Sequence, residues 1–127
     1  MPPVQDPRVA KVLAHITRDL TRRVTLVEAA RVACLEPLYF SKRFHKTLGT
    51  PFALWSAHVR VEAAKKLLAT PALSISAVAA AVGYQDITTF ERAFRKCESI
   101  SPSQYRRRLV SQSVEEDSKR RSEDKKR

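Results

Sequence analysis

The amino-acid sequence predicts an all-α protein of seven helices. Only two of its 127 residues are glycine, whereas alanine, leucine, arginine and lysine, which all favour helices, are plentiful. Apolar residues recur at intervals of three and four, and no segment alternates between apolar and polar residues as a half-buried strand would. Hydrophobic residues make up 43% of the chain, which is enough to form a packed core.

Start and stop signals divide the chain into these helices. Asp6-Pro7 combines an N-cap residue with proline at the first helical position, and Glu36-Pro37 marks the start of the third helix. Capping boxes begin at Thr25 and at Ser101, and Gly49 suits the left-handed conformation that ends many helices. The predicted helices span about residues 7–20, 26–33, 37–48, 51–69, 75–82, 87–97 and 102–109.

The fourth predicted helix is the longest and connects the two halves of the chain. Its start is marked by Thr50-Pro51 and its end by Thr70-Pro71. Residues 111–127, by contrast, contain a single aliphatic residue and mixed charges, which predicts a disordered tail. Five apolar residues recur along the fourth helix and are expected to face a core: Phe52, Trp55, Val59, Ala63 and Leu67.

The chain carries a large excess of positive charge. Its formal net charge is +11 at pH 7, yet the last 17 residues hold six Lys or Arg and five Asp or Glu. The excess therefore lies in residues 1–110, where the helices are predicted. Positive charge concentrated on a folded domain indicates a polyanionic partner in preference to a merely soluble surface.

Several classes of function lack the residues that they would need. Cys34 and Cys97 form no paired motif and are interpreted as small apolar residues of helices in a reduced protein. The sequence shows no metal-ligand spacing, no catalytic arrangement of side chains and no glycine-rich phosphate loop, so neither an enzyme nor a cofactor is expected. With no signal-peptide run and no apolar segment long enough to cross a bilayer, the protein is expected to be cytoplasmic, without membrane contact.

The apolar pattern occurs twice along the chain. Residues 26–35 match residues 75–84 at an offset of 49, and residues 40–55 match residues 90–105 at an offset of 50. Each copy consists of a short helix, a tight turn and a second helix, which is the arrangement of a helix-turn-helix motif. The sequence therefore predicts one domain over residues 1–110, with a first lobe over about 7–50, a central helix over 51–70 and a second lobe over 71–110.

These motifs resemble the DNA-binding domain of the AraC family of bacterial transcription regulators over about residues 7–109. The most specific part lies between Ser74 and Arg106: Leu-Ser-Ile-x-x-Val-Ala, Val-Gly-Tyr-x-Asp, Phe-x-x-x-Phe-Arg-Lys and Ser-Pro-Ser-x-Tyr-Arg. The sequence departs from the family pattern at Cys34, where glycine is usual, and at Glu36, where a small hydroxyl residue is common. A third departure is Glu98-Ser99, which stands where an aromatic residue and glycine are usual.

The resemblance implies that the second helix of each copy enters the major groove and that the two helices occupy successive groove segments on one face of DNA. Two roles remain open: Leu38 either contacts a thymine methyl group or shields the core, and Glu91 either accepts a hydrogen bond from cytosine or pairs with a neighbouring arginine. Carried over by position, the base-contacting residues are Leu38, Ser41 and Lys42 in the first copy and Thr88, Glu91 and Arg92 in the second. The expected phosphate-contacting residues are Arg43, His45, Lys46, Arg95 and Lys96.

The predicted function is that of a sequence-specific, DNA-binding transcription regulator acting on double-stranded DNA at the nucleoid. The resemblance implies activation and contact with RNA polymerase. Because the apolar stripes already serve the cores and no heptad repeat is present, the isolated protein is expected to be a monomer. Only six residues precede the first helix, so the chain is expected to be a short MarA-like member or the DNA-binding remnant of a larger effector-responsive regulator. The alternative is a non-specific basic nucleic-acid-binding or interaction module.

Overall fold

The computed structural model describes residues 6–125, with side chains to residue 121. Over these residues the chain forms seven α-helices and no strand, which confirms the predicted fold class. Residues 1–5 and 126–127, which fall within the predicted domain and tail, lie outside the described residues. The helices are α1 (Pro7–Arg18), α2 (Leu26–Val32), α3 (Pro37–Leu48), α4 (Phe52–Leu68), α5 (Ile75–Ala81), α6 (Ile87–Glu98) and α7 (Pro102–Lys125).

Side-chain caps begin most of these helices, as the sequence predicts. In each case a side-chain oxygen accepts a hydrogen bond from a backbone N–H group that has no partner within the helix. The capping residues are Asp6 for α1, Thr25 for α2, Glu36 for α3, Ser74 for α5 and Asp86 for α6. The capping box that begins α7 is reciprocal, because Ser101 and Gln104 each donate a backbone N–H to the other's side-chain oxygen.

The two copies of the repeat form two separate hydrophobic cores with the same internal geometry. The rings of Phe40 and Phe44 have their centroids 5.8 Å apart, and those of Phe90 and Phe94 are 5.9 Å apart. Each second phenylalanine also packs at 5.6 Å against the aromatic residue at the last matched position of the repeat, Trp55 in the first lobe and Tyr105 in the second. The repeat found in the sequence is therefore a repeat of three-dimensional packing.

Helix α4 belongs to both lobes. It packs against α3 as α7 packs against α6, and it packs against α5 and α6 as α1 packs against α2 and α3. Its first turns contribute to the core of the first lobe, and its later turns contribute to the core of the second. Helix α4 is thus the last helix of one lobe and the first helix of the next.

The predicted apolar stripe of α4 is right in placing Trp55, Ala63 and Leu67 against the two cores, but of its five members only Phe52 is buried. The structure buries residues at intervals of four along α4, together with Val61, whereas Trp55, Val59, Ala63 and Leu67 are only partly buried. The sequence prediction missed this buried row because two of its members are polar. A search for apolar residues therefore selected the row beside it. The buried residues of α4 are Phe52, Ser56, Arg60, Val61, Ala64 and Leu68.

Arg60 is the largest side chain that is almost fully buried, with 2% of its surface exposed. Its guanidinium donates hydrogen bonds to the carbonyl oxygens of Leu20 at 2.8 Å and Arg22 at 3.1 Å, both in the first lobe. It also donates to the carbonyl oxygen of Val82 in the second lobe, at 2.9 Å. Arg60 therefore joins the backbones of the two lobes.

The tight turns of the two lobes have the same backbone geometry with different residues. Cys34 adopts a positive φ of 57°, and Gly83, at the equivalent position, has a φ of 92°. The helices that follow end at Gly49, with a φ of 76°, and at Ser99, with a φ of 67°. Each left-handed position of the repeat thus holds glycine in one lobe and a residue with a side chain in the other, so the departures from the family pattern at Cys34 and Ser99 leave the fold unchanged.

We expect Ser99→Gly to stabilise the protein by about 0.5–1 kcal/mol. The left-handed conformation costs a residue with a Cβ atom about 1–2 kcal/mol, and the greater freedom of glycine in the unfolded chain offsets part of that gain. Urea unfolding measures the change in free energy. Ser76→Gly in α5 is the control, because glycine at a right-handed helical position should instead destabilise the protein by about 0.5 kcal/mol. Destabilisation by both changes would contradict the assignment of strain to Ser99.

The prediction that the last helix ends near Leu109 and that residues 111–127 are disordered is wrong over the described residues. Helix α7 continues to Lys125, although every described side chain from Val110 to residue 121 is exposed. The sequence permits this because neither glycine nor proline follows Pro102. Three acidic residues, at 115–117, also precede three basic residues, at 119–121, by four positions each, a spacing that stabilises exposed helices.

The interpretation of the cysteines as apolar helical residues is right only in placing Cys97 in a helix. Cys34 lies in the turn between α2 and α3 and not in a helix. Cys97 lies in α6, and both side chains are exposed. Each lobe therefore presents one accessible thiol.

Candidate nucleic-acid interface

Helices α3 and α6 each present one polar, exposed face. Their opposite faces are fixed by two phenylalanines four residues apart, which are fully buried: Phe40 and Phe44 in α3, and Phe90 and Phe94 in α6. Because residues four apart share a helix face, the residues on the opposite side of each helix point away from the core. The sequence-predicted contact residues lie mainly on these outer faces.

The outer face of α6 brings together all five predicted contact residues of the second lobe. They line one shallow surface groove, and each of them is exposed: Thr88, Glu91, Arg92, Arg95 and Lys96. Within the described residues none of the four charged side chains forms an ion pair, so the expected pairing of Glu91 with Arg92 or Arg95 is not observed. The charges of this face are therefore directed to solvent.

The outer face of α3 carries the corresponding residues of the first lobe. Lys42, His45 and Lys46 are exposed, and Ser41 is half-buried. Leu38 has 62% of its surface exposed, so it does not shield the core. Of the two roles open for Leu38, the core-shielding role is therefore excluded, and the contact with a thymine methyl group stays a prediction.

Arg43 differs from the other predicted phosphate-contacting residues because it is bound within the protein. Its Nε donates to the carboxylate of Asp6, and its Nη1 donates to the hydroxyl of Tyr39 at 3.1 Å. Asp6 also caps α1, so this ion pair holds α3 against the start of α1. Burial raises the pKa of Asp6, but the hydrogen bonds from Arg43 and from the α1 backbone outweigh this effect and lower it. The structure thus gives Arg43 a structural role that sequence reasoning did not find.

The two candidate helices begin with ionised caps. The backbone N–H groups of Leu38 and Tyr39, 3.0 Å and 3.1 Å from the Glu36 carboxylate, lower the pKa of Glu36. Hydrogen bonds from the backbone N–H and hydroxyl of Thr89 lower the pKa of Asp86 in the same way. Glu36 therefore performs the capping role expected of a smaller residue, and the turn before α3 keeps its geometry.

Glu98 is directed away from the outer face of α6. Its carboxylate forms an ion pair with Lys65 of α4 at 3.1 Å, and Lys65 contacts Glu62 at the same distance. The hydrogen bonds to Glu98 and Glu62 raise the pKa of Lys65. The negative charge that the sequence places at the end of α6 thus serves packing against α4.

The described helices contain no span long and apolar enough to cross a membrane. Among the same residues, no three His, Cys, Asp or Glu side chains are grouped as metal ligands would be.

Comparison with known proteins identifies the family. A family model described as a helix-turn-helix domain matches residues 29–108. The arabinose operon regulatory protein of Escherichia coli (strain K12) is 33% identical over 105 residues, which cover 82% of this chain and 36% of that protein. The chain belongs to the AraC family of transcription regulators.

Other AraC-type proteins agree in fold. The C-terminal domain of AraT, a response regulator from Geobacillus stearothermophilus, has a TM-score of 0.76 and 32% identity, with 80% of this chain and 85% of that chain covered. The DNA-binding domain of AdpA, a global transcriptional factor whose structure was solved in complex with a target DNA, has a TM-score of 0.79 and 25% identity, covering 84% and 96%. This chain spans about a third of the length of the first curated relatives that it matches. The family to which it belongs is one of DNA-binding transcription regulators and is not enzymatic.

Proposed function

We propose that the protein reads a specific duplex sequence by inserting α3 and α6 into successive major-groove segments on one DNA face. Two exposed basic helices, each held outward by the same aromatic packing, support this proposal. Recognition helices that read adjacent turns must lie about 34 Å apart, which is one turn of B-DNA. This arrangement differs from a merely basic surface, because the basic residues of α3 and those of α6 occupy equivalent positions of the structural repeat.

The proposal assigns base contacts and phosphate contacts to different residues. Arg92 and Lys42 occupy equivalent positions, and each would donate to acceptors on a guanine edge. Leu38 would contact a thymine methyl group, while the exposed carboxylate of Glu91 would accept a hydrogen bond from cytosine N4. Ser41 and Thr88 complete the base-contacting set, and the phosphate-contacting residues are His45, Lys46, Arg95 and Lys96.

Further parts of the proposal concern partners. We assign activation through contact with RNA polymerase, as expected for a regulator of this family, and action on the nucleoid in the cytoplasm. We also assign a monomeric state in isolation, since the buried stripes of α1 to α6 are used within the two cores.

Selection of bound sequences from a random duplex pool tests the proposal. We expect a single consensus that spans two major-groove segments, with DNase protection of the whole site on one face. A pool that shows no enrichment, with binding that depends on salt alone, would instead identify a non-specific basic module.

Arg92→Ala and Lys96→Ala should separate base reading from phosphate binding. We expect Arg92→Ala to cost about 1–3 kcal/mol on the selected site and little on random duplex, because Arg92 donates to a base. Lys96→Ala should weaken binding to both duplexes and reduce the slope of log affinity against log salt by about 0.9, the share of one phosphate. Titrations of both duplexes across a salt series make the measurement. Equal losses on the two duplexes for Arg92→Ala would show that Arg92 binds only phosphate.

A further inference from the structure

We infer that Arg60 is a positioning residue that fixes the two lobes relative to each other and so sets the distance between α3 and α6. The expected effect of Arg60 on DNA-site spacing rests on the proposed function, whereas its expected effect on the geometry of the lobes does not. The inference starts from the separation of the two hydrophobic cores. No buried apolar residue belongs to both cores over the described residues, so the two cores are connected through α4, which contributes residues to each.

Helix α4 alone leaves the orientation of the lobes weakly determined. It is shared by both lobes, but a lobe packed on a single helix can pivot about it unless other contacts oppose the motion. Arg60 provides such contacts near the middle of α4. Its three hydrogen bonds reach one backbone segment in each lobe, residues 20–22 after α1 and Val82 after α5. A pivot of either lobe would therefore break at least one of these bonds.

The charge of Arg60 suits these carbonyl groups. Val82 is the C-cap of α5, where the partial negative charge of the helix C-terminus favours a cation. Leu20 and Arg22 lie in the segment that follows the C-cap of α1. Within the described residues no carboxylate pairs with the guanidinium. Burial lowers the pKa of Arg60, yet arginine stays charged in proteins, so the side chain depends on these carbonyl oxygens for its solvation.

Two further features lie beside Arg60 where the two lobes meet, which we call the junction. The guanidinium of Arg23, in the first lobe, lies over the ring of Tyr84, in the second, at 5.3 Å from the centroid. Gly83 leaves the space that Arg60 occupies, since a Cβ atom there would lie 2.4 Å from its Nη1. The Arg60 guanidinium thus lies in a space bounded by residues of both lobes, and the contact between Arg23 and Tyr84 adds a second link between the lobes.

A distance measurement between the lobes tests the inference without DNA. Cys34 and Cys97 are exposed, and each lies in a different lobe, so spin labels on them report the separation of the lobes through pulsed electron double resonance. We expect a single narrow distance distribution for the wild type. In Arg60→Met the distribution should broaden about twofold or more, because lobes without fixed contacts sample several arrangements.

Val61→Ala is the matched control for loss of stability. Val61 is the adjacent residue of α4 and is fully buried in the second core, so this change weakens the protein without touching the junction. It should leave the distance distribution as narrow as in the wild type. If Arg60→Met does not fold, as judged by circular dichroism, Arg60→Lys is measured in the same way, since one ammonium group cannot reproduce the fixed planar fork of donors.

The spacing of the DNA site gives a second measurement. One inserted base pair between the two halves of the selected site rotates them by roughly 35°, and we expect it to reduce wild-type affinity by about 100-fold because both lobes can no longer bind at once. The folded Arg60 variant should lose less than about tenfold on the same insertion, whereas Val61→Ala should lose as much as the wild type. Wild-type distance widths and a wild-type spacing penalty in a folded Arg60 variant would overturn the inference. Absence of any preferred site for the wild type would instead remove the proposed function and leave the distance result intact.

Discussion

Gly83→Ala should destabilise the protein by about 3 kcal/mol or more. The residue has a φ of 92°, which costs an L-residue with a side chain about 1–2 kcal/mol. A Cβ atom would also lie 2.4 Å from the Nη1 of Arg60 and 2.6 Å from the carbonyl oxygen of Leu20, and such overpacking adds about 1–3 kcal/mol. The oxygen belongs to the backbone and cannot rotate away. The change in the free energy of unfolding, measured in urea, gives the result.

Gly49→Ala is the control for this prediction. Gly49 also has a positive φ, of 76°, but a Cβ atom there would meet no other atom within 4 Å. Its substitution should therefore cost only the conformational part, about 0.5–1 kcal/mol once the lower freedom of alanine in the unfolded chain is counted. If the two substitutions cost the same, the close approach of Gly83 to Arg60 and Leu20 does not constrain the folded protein.

Phe94→Ala should cost about 3–5 kcal/mol, because it removes a fully buried ring and leaves a cavity in the second core. Its ring packs against Phe90 and Tyr105, so neither neighbour can fill the space without losing its own contacts. Circular dichroism during urea unfolding measures the loss. Val114→Ala, at a position 63% exposed, should change stability by no more than about 0.5 kcal/mol.

The same experiment shows whether the lobes unfold together. Trp55 is the single tryptophan and packs in the first lobe, so its fluorescence reports that lobe while Phe94→Ala perturbs the other. Because α4 and Arg60 belong to both lobes, we expect the fluorescence midpoint to fall with the circular dichroism midpoint. An unchanged fluorescence midpoint would mean that the first lobe folds without the second.

The elements set by local chemistry are those that the sequence predicts well. Capping residues such as Thr25 and Asp86 act through hydrogen bonds within a few positions, and the paired phenylalanines act through helical spacing alone. The buried row of α4 was missed because Arg60 makes its contacts with residues 22 to 40 positions away, which no local pattern reveals. Arg43 was assigned to phosphate for a similar reason, since its partner Asp6 lies 37 positions earlier.

In the candidate interface, too, the sequence predicts what local spacing determines and misses what depends on distant contacts. The exposure of Arg92 and Lys96 follows from their positions opposite Phe90 and Phe94, so the sequence suffices to place them on the outer face of α6. The sequence did not exclude a core role for Leu38, because exposure depends on what the neighbouring elements cover. The continuation of α7 beyond Leu109 was missed because composition indicates poor burial, whereas poor burial does not mark the end of a helix that no glycine or proline interrupts.

The sharing of α4 between the lobes gives the molecule a polarity. The two motifs are related head to tail, because α4 ends the first motif and begins the second. The halves of a symmetric dimer instead face each other across a two-fold axis. A dimer of the latter kind reads a palindrome, in which both strands are equivalent. We therefore expect a binding site without internal symmetry, on which the protein sits in one orientation only. Inverting that site in a promoter would turn the bound regulator end to end, so that a different lobe is upstream.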